Sequence, residues 1–290
     1  MPKIIIIIPT FNSAPYIHNC IKSLQSEIKK NEISASIIII DNDSKDSTLN
    51  KIKDLPGINI IKNPKNYGFA KAVNIGIKSK RSNYVLLLNP DTTIDKNAIS
   101  NLLKCAKQNN AGIASGLIYD FSKKKQQSFA KKPTISTLLF IYTNLRKIVP
   151  FDYIYKSHYY VYEKINSTKK VDVVSGGFML IERKVFNKIG YFDERFFMYL
   201  EDVDFCVRAL KKGIKTIICP KARIKHYGGG SSPNKDRVLH SAWIDSRRYY
   251  AQKHFGTLTN FLVQKIFTID AIIINIRRLN KIHVHQKNSH

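Results

Sequence analysis

The 290-residue sequence has only four cysteines, and no two of them have C-x-x-C spacing. We therefore predict neither a zinc knuckle nor a disulfide framework, and we expect Cys20, Cys105, Cys206 and Cys219 to be free thiols. The sequence also lacks an uninterrupted run of 18 apolar residues, so no membrane-spanning helix is predicted. The apolar run at residues 4–8 is too short for a signal peptide, and no small-residue cleavage site follows it.

Acidic residues are scarce, with 21 Asp and Glu against 48 Lys and Arg and a formal net charge of +27. A protein this basic attracts polyanions, anionic lipid or phosphorylated substrates. The excess is uneven, because residues 203–290 carry +13 whereas residues 171–202 carry −2. The acidic window therefore needs an explanation of its own.

Short apolar runs alternate with segments of helical spacing in the first part of the chain. The predicted strands are 4–8, 36–40, 58–61 and 84–88, and the predicted helices are 13–30, 44–53 and 67–79. This alternation predicts an α/β fold with a doubly wound, mostly parallel sheet. In such sheets ligands bind beyond the carboxyl ends of the strands. The residues at or just after those ends are Thr10, Asp41, Asn63 and Asp91.

Two acids at strand ends have both a chemical and a structural interpretation. A carboxylate at Asp41 can accept from a base N–H or a ribose hydroxyl, but a turn and a helix N-cap also explain its surroundings. Asp91 follows Pro90, and a divalent cation on a diphosphate needs only one or two protein carboxylates. Taken alone, Asp41 fits both interpretations equally well, whereas Asp91 is better explained by an ordinary turn or N-cap. The matching strand-end positions favour ligand binding at Asp41.

The acidic window places Glu201, Asp202 and Asp204 in the first turn of a helix predicted at 201–212. Helix-dipole complementarity alone would stabilise each acid by roughly 0.3–1 kcal/mol. The mainly aromatic residues 196–199 can exclude water and raise the pKa of one carboxyl into the working range of a general base. We favour catalysis for this segment.

A further short strand is predicted at 216–219, and His226 lies beyond it, close to three glycines. A neutral imidazole there is either structural or a ligand for Mn²⁺ or a related ion.

Taken together, these segments resemble the family 2 glycosyltransferases, which have the nucleotide-diphospho-sugar (GT-A) fold. The matching stretches are IIIIIPTFN at 4–12, IIIIDNDSKDST at 37–48, NYGFAKAVNIG at 66–76, LLLNPDT at 86–92, residues 173–208 with SGGF and YLEDVDF, and HYGGGS at 226–231. The spacing and the NPD and ED forms look most like the rhamnosyltransferase-like subgroup.

The resemblance implies an inverting hexosyltransferase that moves a sugar, with rhamnose as a candidate, from a nucleotide-diphospho-sugar donor. The implied acceptor is a glycan or lipid-linked glycan in cell-surface polysaccharide synthesis. Asp202 would be the general base and Glu201 would orient the acceptor, while Asp91 and His226 would bind Mg²⁺ or Mn²⁺. The implied nucleotide-sugar contacts are Pro9, Thr10, Asn12, Asp41, Asn66, Gly68, Asn74, Asn89, Asp91, Gly176 and Gly177. Asn89 departs from the family pattern, because it replaces the first acid of the D-x-D element.

Composition and the resemblance divide the chain into four predicted regions. These are a nucleotide-sugar-binding α/β half at 1–120, a basic Tyr- and Lys-rich insertion at 121–170, an acceptor and catalytic half at 171–232, and a basic helical region at 233–290. Within the last, residues 261–279 form either an interfacial helix or an amphipathic helix packed on the core or on a second subunit.

The high positive charge suggests one alternative to a transferase. This is a basic nucleic-acid- or membrane-binding protein on the same fold without transferase activity. No helix-turn-helix, RRM or finger signature is present, and acids at the strand ends would repel phosphate, so we expect no nucleic-acid partner. We expect a cytoplasmic protein, with an anionic membrane surface at the inner face of the cell membrane and a homodimer as further hypotheses.

Overall fold

The computed structural model describes residues 3–143, 152–161, 163–228 and 235–270. Its strands are β1 (Ile4–Thr10), β2 (Ala35–Asp41), β3 (Ile58–Lys62), β4 (Tyr84–Leu88), β5 (Thr92–Ile94), β6 (Ile113–Tyr119), β7 (Phe129–Ala130), β8 (Lys169–Lys170), β9 (Val173–Val174), β10 (Phe178–Glu182) and β11 (Thr216–His226). Its helices are α1 (Ile17–Lys30), α2 (Gly68–Ser79), α3 (Ala98–Gln108), α4 (Asp152–His158), α5 (Arg183–Ile189), α6 (Glu201–Lys211) and α7 (Lys235–His254). A π-helical turn at Thr137–Ile141 and a helix at 257–270 complete the described elements.

The first half of the main sheet is parallel, in the order β3–β2–β1–β4. Ile5 and Ile7 of β1 join the apolar core beneath α2, whereas Ile4, Ile6 and Ile8 join the core beneath α1. Helices on both faces bury every residue of β1, which explains why this strand is an uninterrupted apolar run. The predicted α/β sheet is confirmed in this half.

The second half of the sheet is mixed. β10 lies between β4 and β6 and runs antiparallel to both, whereas β11 runs parallel to β6. β5 and β8 pair with β11 in the antiparallel direction. The two halves are therefore joined through β10.

The described parts of the insertion and of the C-terminal region pack together beside the sheet. β7 pairs with β9, and Leu138 of the π-helical turn shares an apolar cluster with Phe196, Tyr250 and Phe267. The wholly buried Arg247 forms an ion pair with Asp270 in this cluster. One face of helix 257–270 is thus packed on the core, while residues 271–279 of the predicted amphipathic segment lie outside the described residues. Among the described helices, none is long and apolar enough to cross a bilayer.

The helix predicted at 44–53 is wrong, because this segment forms turns. Its polar side chains bind the loop after β1: Asp46 accepts from the backbone N–H of Ala14 at 3.1 Å, and Thr48 Oγ1 accepts from that of Ser13 at 2.7 Å. Short polar side chains that bind nearby backbone in this way compete with helix formation. The segment therefore supports the loop at the end of β1.

The strand predicted at 216–219 is too short, because β11 continues past Pro220 to His226. The register with β6 shifts between Cys219 and Arg223, and an irregularity of this kind is where a strand tolerates proline. The extension carries His226 toward the end of β4.

The expectation of four free thiols is wrong for two of them. Cys105 of α3 and Cys219 of β11 form a disulfide, with their Cα atoms 6.5 Å apart. The two positions are separated by 114 residues and meet only because α3 packs on β11, so their spacing in the sequence carried no signal. Cys20 and Cys206 are buried free thiols.

Gly68 provides a test of the packing at the start of α2. Its φ is +79°, and a Cβ there would lie 2.1 Å from the carbonyl oxygen of Phe197. We expect Gly68→Ala to lower the free energy of unfolding by about 3 kcal/mol or more, since it adds a steric clash to backbone strain. Gly57→Ala is the matched control, because Gly57 has a φ of +72° and open space around it, and only about 1 kcal/mol of strain is expected. Urea denaturation measures the free energy of unfolding of both variants. Equal decreases in Gly68→Ala and Gly57→Ala would contradict the steric argument.

Candidate functional site

Two buried oxygens mark the carboxyl ends of β1 and β2. Thr10 follows Pro9 at the end of β1 and is paired in register with Asp41 at the end of β2. Thr10 Oγ1 and Asp41 Oδ1 are buried without a hydrogen-bond partner, whereas Asp41 Oδ2 accepts from the backbone N–H of Ser44 at 3.1 Å. Because buried polar atoms are normally satisfied, these two oxygens are suited to bind a ligand's hydroxyl or N–H groups.

Asn12 and Asn66 shape the loops around these strand ends. Asn12 Oδ1 accepts from the backbone N–H of Lys45 at 2.8 Å, which ties the loop after β1 to the loop after β2. Asn66 Oδ1 accepts from the backbone N–H of Gly68 at 2.9 Å at the start of α2. Both side chains therefore position backbone next to the strand ends.

Gly68 and Asn74 are engaged by the protein itself. The close approach expected at Gly68 is made by the Phe197 backbone rather than by a ligand, and Phe197 O accepts from the N–H of Phe69 at 2.8 Å. Asn74 donates to the carbonyl of Phe192 at 2.8 Å and accepts from its N–H at 3.1 Å. Both residues attach α2 to the segment before α6.

Asp91 and His226 lie side by side. Asp91 Oδ1 is 3.1 Å from His226 Nε2, because β5 follows Asp91 and pairs Thr92 with His226 at the end of β11. A carboxylate and an imidazole are suitable ligands for Mg²⁺ or Mn²⁺. The described residues contain no group of three or more His, Cys, Asp or Glu side chains that could hold a metal. The Asp91–His226 pair thus fits a cation whose remaining ligands are diphosphate oxygens and water.

Asn89 connects this pair with the second half of the sheet. Its Nδ2 lies 3.4 Å from His226 Nε2, and a Cβ added to Gly177 would lie 3.0 Å from the same Nδ2. The N–H of Asn89 donates to the carbonyl of Gly177 at 3.1 Å, and the N–H of Gly176 donates to Asp202 Oδ2 at 2.8 Å. A path of contacts therefore runs from the Asp91–His226 pair, through Asn89 and the two glycines, to Asp202.

The two acids at the start of α6 follow a strained turn. Tyr199 and Leu200 both have left-handed conformations, with φ values of +72° and +65°. Asp202 Oδ1 accepts from the N–H of Val203 at 2.7 Å, so each of its oxygens has one backbone donor. Glu201 is 5% exposed and its Oε2 has no partner. Strain at non-glycine residues is typical of functional sites.

The two carboxyls differ in how easily they ionise. Burial raises the pKa of both, and the negative charge of Asp202 raises that of Glu201 further. The backbone N–H groups that bind Asp202 oppose its shift, because they stabilise the carboxylate. Asp202 is therefore the carboxyl of the pair that ionises more readily.

A cavity of about 390 Å³ opens beside Asp202. Asn89, Gly176 and Gly177 form one wall, and the start of α6 forms another. Its aromatic lining residues are Phe69, Phe129, Tyr142, Tyr159, Tyr199 and Trp243. The volume falls in the range of small-ligand pockets, about 300–1,000 Å³.

Sequence reasoning missed the residues that the insertion contributes. Gln126 makes two hydrogen bonds to His226, and Lys131 and His158 line the cavity, where burial lowers the pKa of His158 to about 4. Residues 121–170 have weak periodicity and no motif, so no local signal could have found them.

Comparison with known proteins agrees with this geometry. Residues 5–190 match the sequence profile of Glycosyl transferase family 2. The chain is 30% identical over 203 residues to the low-salt glycan biosynthesis hexosyltransferase Agl10 of Haloferax volcanii, which covers 69% of this chain and 60% of that protein. It is 26% identical over 270 residues to an N-acetylglucosaminyl-diphospho-decaprenol L-rhamnosyltransferase of Mycobacterium tuberculosis, which covers 85% of this chain and 83% of that protein.

The fold has a similar solved structure, the mannosyltransferase PcManGT from Pyrobaculum calidifontis in complex with GDP-Man and Mn²⁺. It superposes with a TM-score of 0.58 over 92% of this chain and 68% of the other, at 14% sequence identity. The architecture is thus a GT-A-like α/β fold. The chain belongs to glycosyltransferase family 2 and is a glycosyltransferase.

The buried Glu201 carboxyl gives the protein a testable pH dependence. Its pKa is raised in the folded state, so the unfolded chain releases this proton first as pH rises, and the folded state loses stability. We expect Glu201→Gln to become progressively more stabilising, relative to the wild type, as the pH rises above the usual pKa of a glutamate carboxyl, about 4.3. Urea unfolding at a series of pH values measures this, with the exposed Glu32→Gln as the control for losing one carboxyl. A Glu201→Gln effect that does not change with pH would contradict the assignment.

Proposed function

We propose that this enzyme transfers a sugar, with inversion, from a nucleotide-diphospho-sugar to a glycan or lipid-linked glycan acceptor in cell-surface polysaccharide synthesis. The path of contacts from the Asp91–His226 pair to Asp202 carries the proposal, because it sets a metal-binding pair and a base on either side of Gly176 and Gly177. We favour rhamnose as the sugar, because the mycobacterial relative is named an L-rhamnosyltransferase.

The nucleoside of the donor is proposed to bind at the ends of β1 and β2. Thr10 Oγ1 and Asp41 Oδ1 are buried without partners there and can accept from base N–H or ribose hydroxyl groups. The diphosphate would then extend toward Asp91 and His226, which would hold Mg²⁺ or Mn²⁺. Such a cation, when bound, offsets the negative charge that develops on the leaving diphosphate.

The acceptor is proposed to enter the cavity beside Asp202. Aromatic side chains such as Tyr142 and Trp243 suit the apolar face of a sugar ring, and Glu201 and Lys131 offer polar contacts to its hydroxyls. The mycobacterial relative is named for N-acetylglucosaminyl-diphospho-decaprenol, which supports a lipid-linked glycan acceptor here as well.

Asp202 is proposed as the general base. Its carboxylate takes the proton of the acceptor hydroxyl while that oxygen attacks the anomeric carbon, and the bond from that carbon to the diphosphate breaks on the opposite side. Glu201, whose pKa is raised well above its usual range by burial and by the charge of Asp202, can donate a hydrogen bond to the acceptor from its unpartnered Oε2. The two neighbouring acids thus take different roles, because the N–H groups of Gly176 and Val203 stabilise the carboxylate of Asp202.

Asp202→Asn tests the base. We expect kcat to fall by about 10²–10⁴-fold while nucleotide affinity is unchanged, because an amide cannot take the proton and Asp202 lies away from the ends of β1 and β2. Transfer from dTDP-rhamnose to a synthetic N-acetylglucosaminyl diphospho-lipid measures kcat, and calorimetry measures nucleotide binding. Asp245→Asn, an exposed carboxyl of α7, is the control. Near-normal turnover of Asp202→Asn would remove Asp202 from this role.

Asp91→Ala tests the proposed metal ligand. We expect the Mn²⁺-dependent affinity for dTDP or UDP to weaken by about 10-fold or more, because the cation would lose its only carboxylate in the pair. A calorimetric titration of each nucleotide with and without Mn²⁺ measures this, and the exposed Asp54→Ala is the control. The same titrations with dTDP- and UDP-sugars identify the donor. If Mn²⁺ increases the nucleotide affinity of Asp91→Ala as much as that of the wild type, Asp91 is not a metal ligand.

We also propose that helix 257–270 binds an anionic membrane surface. Leu258, Phe261, Leu262 and Ile269 are 75%, 56%, 56% and 58% exposed and share one face of this helix with Lys265. A face that combines apolar and basic side chains is typical of interfacial helices. The net charge of +27 also favours anionic over neutral lipid.

Vesicle flotation tests this surface. We expect the protein to float with phosphatidylcholine vesicles that contain phosphatidylglycerol. With vesicles of phosphatidylcholine alone, we expect it to remain in the unbound fraction. The double variant Phe261→Ser/Leu262→Ser should float several-fold less, because the apolar contact is lost. Tyr153→Ser on α4 is the control, since Tyr153 is also 75% exposed. Binding that is indifferent to lipid charge would count against the proposal.

A further inference from the structure

Gln126 makes one hydrogen bond to the ring of His226 and another to its backbone. Gln126 Oε1 is 2.8 Å from His226 Nδ1, and Gln126 Nε2 donates to the carbonyl oxygen of His226 at 2.9 Å. A carbonyl oxygen only accepts, so the group that faces it must be the NH₂ of the amide. The orientation of the amide is thereby fixed, with its oxygen toward Nδ1.

This orientation determines the tautomer of a neutral His226. An amide oxygen also only accepts, so Nδ1 must carry the proton, and Nε2 keeps its lone pair. Asn89 Nδ2, which is a donor, lies 3.4 Å from Nε2 and matches a lone pair there. Nε2 is also the nitrogen that lies 3.1 Å from Asp91 Oδ1. Two electron-rich atoms so close together provide a suitable site for a cation.

We infer that Gln126 is a positioning residue that holds His226 in the tautomer able to bind a divalent cation through Nε2. This inference rests on the proposed function of the Asp91–His226 pair as the metal-binding pair. It assigns a role at that pair to a residue of the basic insertion, which carries none of the stretches that resemble the family. A ligand imidazole whose second nitrogen donates to a fixed acceptor is both oriented and made more basic.

The backbone of Gln126 is held in place relative to His226. Its N–H donates to the carbonyl of Ile118 in β6 at 2.8 Å, and Ile118 lies opposite Ile224 in β11, two residues before His226. Gly228 leaves space for the amide, because a Cβ there would lie 3.3 Å from Gln126 Nε2. Strand pairing therefore sets the distance between the amide and the imidazole.

Three substitutions separate control of the tautomer from simple packing. Gln126→Glu keeps an acceptor that can face Nδ1, Gln126→Met removes it at similar length, and Gln126→Lys places a donor there, which would leave the proton on Nε2. We expect Mn²⁺ affinity in the presence of dTDP or UDP to be retained in Gln126→Glu, to weaken by about 10–100-fold in Gln126→Met, and to weaken further in Gln126→Lys. Titration of the Mn²⁺ electron paramagnetic resonance signal measures this without any turnover.

The same variants give outcomes that would overturn the inference. Equal Mn²⁺ affinity in Gln126→Glu and Gln126→Met would mean that Gln126 only fills space, once urea denaturation has shown that the variants fold alike. If Asp91→Ala loses Mn²⁺ while all three Gln126 variants bind it as the wild type does, this inference fails and the proposed function stands. If the wild type binds no Mn²⁺ with either nucleotide, the metal role and this inference fail together.

Nitrogen NMR of ¹⁵N-histidine-labelled protein reads the tautomer directly. In the complex with Mg²⁺ and dTDP or UDP, we expect the His226 resonances to show a protonated Nδ1 and an unprotonated Nε2. His226→Gln assigns the signals by their loss. A proton on Nε2 in this complex would overturn the inference.

Discussion

The antiparallel pairing of β10 with β4 is the contact on which the geometry of the site depends. β4 ends at the edge of the sheet where β1 and β2 also end, so an antiparallel partner must begin at that edge. Phe178 lies opposite Leu88, and the two glycines that precede β10 therefore arrive beside Asn89. Asp202 lies beside these glycines because its Oδ2 accepts a hydrogen bond from the backbone N–H of Gly176. A parallel β10 would begin at the opposite edge and would separate Asp202 from Asp91 and His226.

The strained turn before α6 is held by the C-terminal region. Phe196 and Leu200, on either side of that turn, belong to the apolar cluster that contains Tyr250 of α7. Ser246 of α7 also donates to the carbonyl of Met198 at 2.7 Å. Left-handed non-glycine residues cost of order 1–3 kcal/mol each and persist only where packing over-determines them. α7 therefore contributes to the site by stabilising the turn that delivers Glu201 and Asp202, in addition to lining the cavity through Trp243.

Periodicity was sufficient to predict β1, β2 and β4, because strands buried on both faces are continuous apolar runs. The edge strand β3 is only partly buried, but it is also a short apolar run. The ends of these strands in turn predicted Thr10, Asp41 and Asp91 as neighbours at one edge of the sheet. Prediction failed where a residue's partner is distant in the chain. The Cys105–Cys219 disulfide joins positions 114 residues apart, and nothing local in the sequence marks either cysteine as paired. The short polar side chains of residues 44–53 bind the loop after β1 instead of supporting a helix, and this contact is set by the tertiary structure.

The insertion is a structural part of the site rather than a separate cover. Gln126 contacts His226, and two residues later the carbonyl of Ser128 accepts from the N–H of Ser175 at 2.8 Å, next to the glycines. Phe129 then pairs with Val174 and lines the cavity beside Asp202. One short segment thus contacts the Asp91–His226 pair at one end and lines the cavity at the other. The surroundings of His226 and one part of the cavity lining therefore both depend on the backbone hydrogen bonds that hold residues 126–129.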